Sequence, residues 1–146
     1  MYLYSRVGIA RLRERFESAR LIVILGSPID LVDAFHAQLR YALAEDQPQL
    51  AAAWELQDKR AQGASLPSCC PESKLLQYRR VALLGDQVRR LVAAVPSEHV
   101  HIVVFDNLAR DSRAGYLQIL EFLGLQDDGR VDFPAVNAQR AHRLRW

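Results

Sequence analysis

The sequence predicts an α/β fold in which a small parallel sheet is set in a mostly helical chain of 146 residues. Three observations carry that reading. Two short apolar runs, Leu21-Ile-Val-Ile-Leu25 and Val100-His-Ile-Val-Val-Phe105, have the length and β-branched content of strands buried on both faces of a parallel sheet. Segments with apolar residues at helical spacing separate the two runs, as right-handed crossovers require. Half of the residues are hydrophobic and 25% are charged, a balance that buries a core and excludes disordered and collagen-like chains. The length suits a single domain, residues 1–146.

Each element has a local reason. Residues 5–16 carry Ile9, Leu12 and Phe16 on one side of a first helix. The first strand runs over residues 20–25. Ser27, Pro28 and Asp30 then supply a hydroxyl cap, a proline at the first helical position and an acid three residues after the cap. They open a helix that ends near Glu45, with Val32, Phe35, Leu39 and Leu43 facing inward. A third helix over residues 48–60 turns Leu50, Ala53 and Trp54 inward. A fourth over residues 72–95 does the same with Leu76, Leu84, Val88, Leu91 and Val95 before Pro96 stops it. The second strand covers residues 99–105. The last helix spans residues 111–123, with Tyr116, Leu120 and Leu123 inside and Gly124 where a left-handed cap belongs. Residues 61–71 and 126–130, rich in Gly, Pro and Asp, read as loops. Two strands are few for a sheet, and open edges leave backbone groups unpaired, so the alternative to an enzyme is a non-catalytic interaction module that pairs its open sheet edge with another subunit, as in a homo-oligomer.

Charge and cysteine content exclude several function classes. Nineteen basic and seventeen acidic residues leave a net charge of +2, which gives no bulk signature of nucleic-acid binding. The longest apolar run falls far short of the ~20 residues that span a bilayer, and Met1 to Arg6 lacks a basic region followed by an apolar stretch. A cytoplasmic protein is therefore expected. The adjacent Cys69 and Cys70 exclude a disulfide framework and lack the spacer with which two thiolates reach one zinc, even with His99 and His101 nearby on a strand, so no metal is expected.

Ligands of open α/β sheets gather at the carboxyl ends of strands, here Gly26-Ser27-Pro28 and Asp106-Asn107-Leu108. At the first, backbone N–H groups and the positive end of the helix dipole suit a phosphate or sulfate. Asp33, His36 and Arg40 share one face of the following helix and read either as a polar site wall or as a solvated face. Arg140, Arg143 and Arg145, with His142, form a basic tail that is either a frayed terminus or an anion contact. No nucleophile elbow, phosphate-loop, His-Glu-x-x-His or dinucleotide motif occurs.

The segment Ala19-Arg-Leu-Ile-Val-Ile-Leu-Gly-Ser-Pro-Ile-Asp-Leu-Val-Asp-Ala-Phe-His36 resembles the core motif of sulfotransferases that use 3′-phosphoadenosine-5′-phosphosulfate (PAPS). In that family a strand ends in Leu-Arg-Asn/Asp-Pro and enters a helix carrying a serine six residues after the proline. Val100 to Leu108, followed by Tyr116 to Leu125, is similar to the second strand, acidic turn and Phe-Leu-Gly-Leu helix end, and Tyr2-Leu-Tyr-Ser5 and Phe133-Pro-Ala-Val-Asn137 resemble flanking segments of bacterial members. The resemblance implies a P-loop NTPase-like three-layer fold, N-terminally truncated, because the strand and Gly-Thr loop that wrap the 5′-phosphosulfate precede everything matched. It implies sulfuryl transfer from PAPS to a hydroxyl or amine of a small-molecule or glycan acceptor. Gly26, Ser27, Ala34, Arg140 and Arg143 then fall at the cofactor and His36 toward the acceptor. The arginine and serine that hold the 3′-phosphate are replaced by Gly26 and Ala34, so weak or lost activity is expected.

Overall fold

The structure, a computed structural model, describes residues 3–5 and 7–134. In chain order it contains α1 (Gly8–Arg15), β1 (Leu21–Leu25), α2 (Pro28–Tyr41), α3 (Leu50–Glu55), α4 (Gln57–Ala61), a 3₁₀ turn at Ser73–Leu76, α5 (Tyr78–Ala82), α6 (Leu84–Ala94), a 3₁₀ turn at Ser97–His99, β2 (Val100–Val104), α7 (Phe105–Arg110) and α8 (Ser112–Leu123). The described residues fall into two compact units. One comprises those up to Gly26 and from Leu84 onward, and the other is Ser27–Leu83.

The first unit holds the sheet. β1 and β2 pair in parallel, from Leu21 beside Val100 to Leu25 beside Val104. Ile22, Ile24, His101 and Val103 therefore share one face, and Leu21, Val23, Leu25, Val100, Ile102 and Val104 the other. Burial on both faces, expected from the continuous apolar runs, is incomplete. Ile22 and Ile24 are 38% and 52% exposed on one face, and Ile102 and Val104 are 40% and 47% exposed on the other. Apolar β-branched runs mark strands, but it is helices that cover the faces of a parallel sheet, and these four side chains are left partly open.

Around the sheet the local signals hold. Asp111 caps α8 by accepting the Ala114 N–H at 2.9 Å. Gly124, at φ 70°, closes it, with the Leu125 N–H donated to the Leu120 carbonyl at 2.9 Å. Arg20, just ahead of β1, donates to the Phe122 carbonyl at 2.7 Å and so satisfies an open acceptor of that helix end. The His101 ring stacks on Phe122 with centroids 5.2 Å apart. Gly115 lets α8 approach α7 closely, since a Cβ there would lie 2.5 Å from Leu108 Cδ1.

The second unit is helical, around a core of Val32, Leu39, Ala44, Ala53, Leu76 and Tyr78, with Phe35, Leu50 and Trp54 packed against it. Its helices are shorter than the periodicity predicts. The segment 48–60 breaks at Leu56, and the segment 72–95 breaks at Gln77 and again at Leu83. At the Gln77 break a side-chain clamp takes the place of the helical ladder. Gln77 Nε2 donates to the Gln57 carbonyl at 2.9 Å, and the Arg79 N–H donates to Gln57 Oε1 at 2.7 Å.

α2 also ends early, at Tyr41 rather than near Glu45. Leu43, placed by its spacing on the inward stripe, is 71% exposed at φ 58°, while the Ala44 and Glu45 N–H groups both turn back to the Leu39 carbonyl. A leucine in the left-handed region is strained by about 1 kcal/mol relative to glycine. Leu43→Gly is expected to raise the unfolding free energy by about 0.5–1 kcal/mol, read as a higher urea midpoint at unchanged slope.

Candidate functional site

Gly26 ends the first unit, exposed, with its φ outside the left-handed region. A Cβ built on it would meet Phe105 Cβ at 3.6 Å, an ordinary contact. Ser27 opens the second unit as the cap of α2, its Oγ accepting the Asp30 N–H at 3.4 Å. That bond uses up much of what the turn offers an anion. Pro28 has no N–H and the Leu31 N–H goes to the Ser27 carbonyl at 3.0 Å, which leaves Ile29 as the first-turn donor for a ligand. Asp30, in the same turn, adds negative charge where a phosphate would need positive. Ala34 is exposed on α2 and presents only a methyl group. The described residues of this turn therefore do not fit a tightly held 3′-phosphate. Arg140 and Arg143, the remaining cofactor candidates, lie outside the described residues.

On the Asp33/His36/Arg40 face of α2, Asp33 and Arg40 are exposed, as a solvated face requires, and His36 is not. His36 is 5% exposed, with Nε2 3.1 Å from the Gln47 carbonyl and its ring edge-on to Tyr78 at 5.8 Å. Arg40 donates to the Pro48 carbonyl at 3.1 Å. Two side chains one turn apart thus hold the loop between α2 and α3. An acceptor role for His36 would require that hydrogen bond to open.

Beneath that loop lies a cluster that sequence reasoning missed. Glu45 and Arg60 are fully buried and form a bidentate pair, Nη1 to Oε2 at 2.7 Å and Nη2 to Oε1 at 2.8 Å. Tyr78 donates its hydroxyl to Glu45 Oε2 at 2.7 Å, and the Gln47 N–H donates to Oε1 at 2.8 Å. Arg60 further reaches Asp46 at 3.0 Å and the Ser65 carbonyl at 3.2 Å. Burial alone would raise the Glu45 pKa. The hydrogen bonds from Arg60, Tyr78 and the Gln47 N–H, with the Arg60 charge, outweigh it and hold the carboxyl at about 2. Burial, then the Glu45 carboxylate, push the Tyr78 phenol well above its usual range. Burial works against the Arg60 charge, but Glu45 and Asp46 more than compensate and keep it protonated. Each Glu45 oxygen already accepts two hydrogen bonds, so the cluster has no base to offer a substrate. Its chemistry is structural.

At the second strand end, Asp106 and Asn107 are exposed in the first turn of α7 rather than in a free loop. Further on, Arg113 pairs with Asp127, Tyr116 donates to Asp128 at 3.0 Å, and Arg130 lies 5.8 Å over the Tyr116 ring, which fastens the loop after α8 to that helix. Among the described residues no group of three or more metal-capable side chains converges. No helix among them is long and apolar enough to cross a membrane.

With a short parallel pair in the first unit and helices in both, the described residues form a mixed α/β chain. The crystal structure of a sulfotransferase from Alicyclobacillus acidocaldarius is similar over 97% of this chain, with a TM-score of 0.70 and 21% identity. The chain spans about half of that protein, 53% of its length. At that identity the likeness establishes the fold. No protein-family model matches the chain, and no curated protein matches it.

Proposed function

We propose that this chain is a sulfotransferase-fold domain of P-loop NTPase-like ancestry, built for sulfuryl transfer from PAPS to a hydroxyl or amine and only feebly able to hold that donor as an isolated chain. The likeness to a solved sulfotransferase over 97% of the chain carries the reading. The position of the Gly26-Ser27-Pro28 turn supports it, at the carboxyl end of a parallel strand where ligands of such folds gather, while its cap accounts for the feeble hold. Gly26, Ser27 and Ala34, with Arg140 and Arg143 of the tail, are the residues proposed to meet the nucleotide, His36 the one proposed toward the acceptor, and the cytoplasm the proposed compartment. The donors left at the turn are too few to grip a doubly charged phosphate.

The test is a calorimetric titration of the chain with 3′-phosphoadenosine-5′-phosphate, the desulfated donor. A dissociation constant near or above about 1 mM is expected, that is, no more than about 4 kcal/mol of binding. Arg140→Ala with Arg143→Ala should weaken what binding there is by a further tenfold or so, the loss of one charge-assisted contact. Unchanged affinity in the double variant removes the tail from the site, and micromolar binding by the unaltered chain contradicts the proposed feebleness.

A further inference from the structure

We propose that Cys69 and Cys70 form a two-thiol binding site for a monosubstituted trivalent arsenical, R–As=O, a soft electrophile that takes two sulfur ligands and brings its third substituent with it. The site lies in the loop between α4 and the 3₁₀ turn at Ser73–Leu76, inside the second unit. Both cysteines are free thiols. Cys69 is exposed, its Sγ 3.9 Å from Ser68 Oγ, and Cys70 is half-buried against the helical core, its S–H donated to the Glu72 carbonyl at 3.4 Å. Thiols are weak hydrogen-bonding groups, so neither contact competes with an As–S bond.

The backbone holds the pair in a short span. The Cys70 N–H donates to the Pro67 carbonyl at 3.0 Å and closes a turn over Pro67–Cys70, and Pro71 follows directly with its φ fixed by its ring. Number and spacing of the donors then select the ligand. Zinc takes four, and among the described residues no group of three or more metal-capable side chains forms. A disulfide joins Cα atoms usually about 4.4–6.8 Å apart, whereas neighbours across a trans peptide stand about 3.8 Å apart. An atom inserted between the sulfurs frees them from meeting at bonding distance, and rotation about χ1 between staggered wells turns both toward it. Thiolate is the soft ligand such an atom prefers. The step is a condensation without change of oxidation state. Two S–H bonds and the As=O bond break, two As–S bonds form, and both protons leave with the oxygen as water.

Phenylarsine oxide is the probe, added to the full chain reduced beforehand and read by native mass spectrometry. One adduct per chain is expected, surviving a large excess of the monothiol glutathione and removed by the dithiol dithiothreitol. The second As–S bond forms within one molecule, so Cys69→Ser and Cys70→Ser should each weaken retention by about 100-fold or more. Cys69→Ser changes an exposed side chain and leaves the fold intact, so its loss is read free of misfolding. An adduct stripped by glutathione, or one held as tightly by either single variant, overturns the proposal. So does one equivalent of zinc retained through gel filtration, which would show that further ligands complete the site.

Discussion

Arg60→Ala lowers the unfolding free energy of this chain by about 3–5 kcal/mol, a large share of the ~5–15 kcal/mol that holds a domain together. The reason is the side chains left behind. Glu45 is fully buried, and without the guanidinium it keeps only the Tyr78 hydroxyl and the Gln47 N–H as partners for a negative charge shut away from water. The Asp46 contact adds little, since Asp46 is 55% exposed and screened. Arg60→Met combined with Glu45→Gln should lose clearly less than the sum of the two single changes, because no unpaired buried charge remains. Urea denaturation of the unaltered chain and the four variants measures these losses. A loss under 1 kcal/mol in Arg60→Ala would mean that the pair is not the strut its burial indicates.

The same cluster sets the acid limit. Glu45 has a folded pKa of about 2 against an ordinary value of 4.5, so its folded form binds the proton less readily than the unfolded chain does. The stabilisation is therefore present above about pH 4.5 and is lost as pH falls toward 2, an amount on the order of 3 kcal/mol. Glu45→Gln should flatten the stability profile across that window.

What could be read in the sequence was what depends on neighbours a few residues away. Ser27 with Pro28 marked the start of α2, Gly124 the end of α8, and two β-branched runs the strands, because caps and short continuous apolar runs are local chemistry. What escaped depends on distant partners. Gln57 meets Gln77 and Arg79 across about twenty residues, at a break in the segment 72–95 whose apolar spacing runs on uninterrupted. Glu45 and Arg60, fifteen apart, are charged residues that composition assigns to the surface and mutual neutralisation brings inside. For the candidate site the division is the same. The cap at Ser27 was legible. The burial of His36 and the hold of Arg40 on the 47–48 loop were not, because their acceptors are backbone carbonyls, which every residue carries.

Gly26→Arg with Ala34→Ser should tighten binding of 3′-phosphoadenosine-5′-phosphate by about 10- to 100-fold. A charge-assisted contact is worth about 1.5–3 kcal/mol and each 1.4 kcal/mol is a factor of ten. The added serine hydroxyl contributes a few-fold within that range. The backbone tolerates the change. The built Cβ at Gly26 clears Phe105 Cβ at 3.6 Å, the φ is one that any residue adopts, and Ala34 is exposed on its helix. Gly26→Met, of similar length and no charge, is the control and should bind no better than the unaltered chain. The decisive measurement is the calorimetric titration of these proteins side by side with that nucleotide at low salt. A tenfold or greater gain confined to the arginine-bearing protein is the predicted result. A folded Gly26→Arg, Ala34→Ser protein that binds the nucleotide no better than its parent would contradict the claim that this turn is a phosphate seat stripped of its grip.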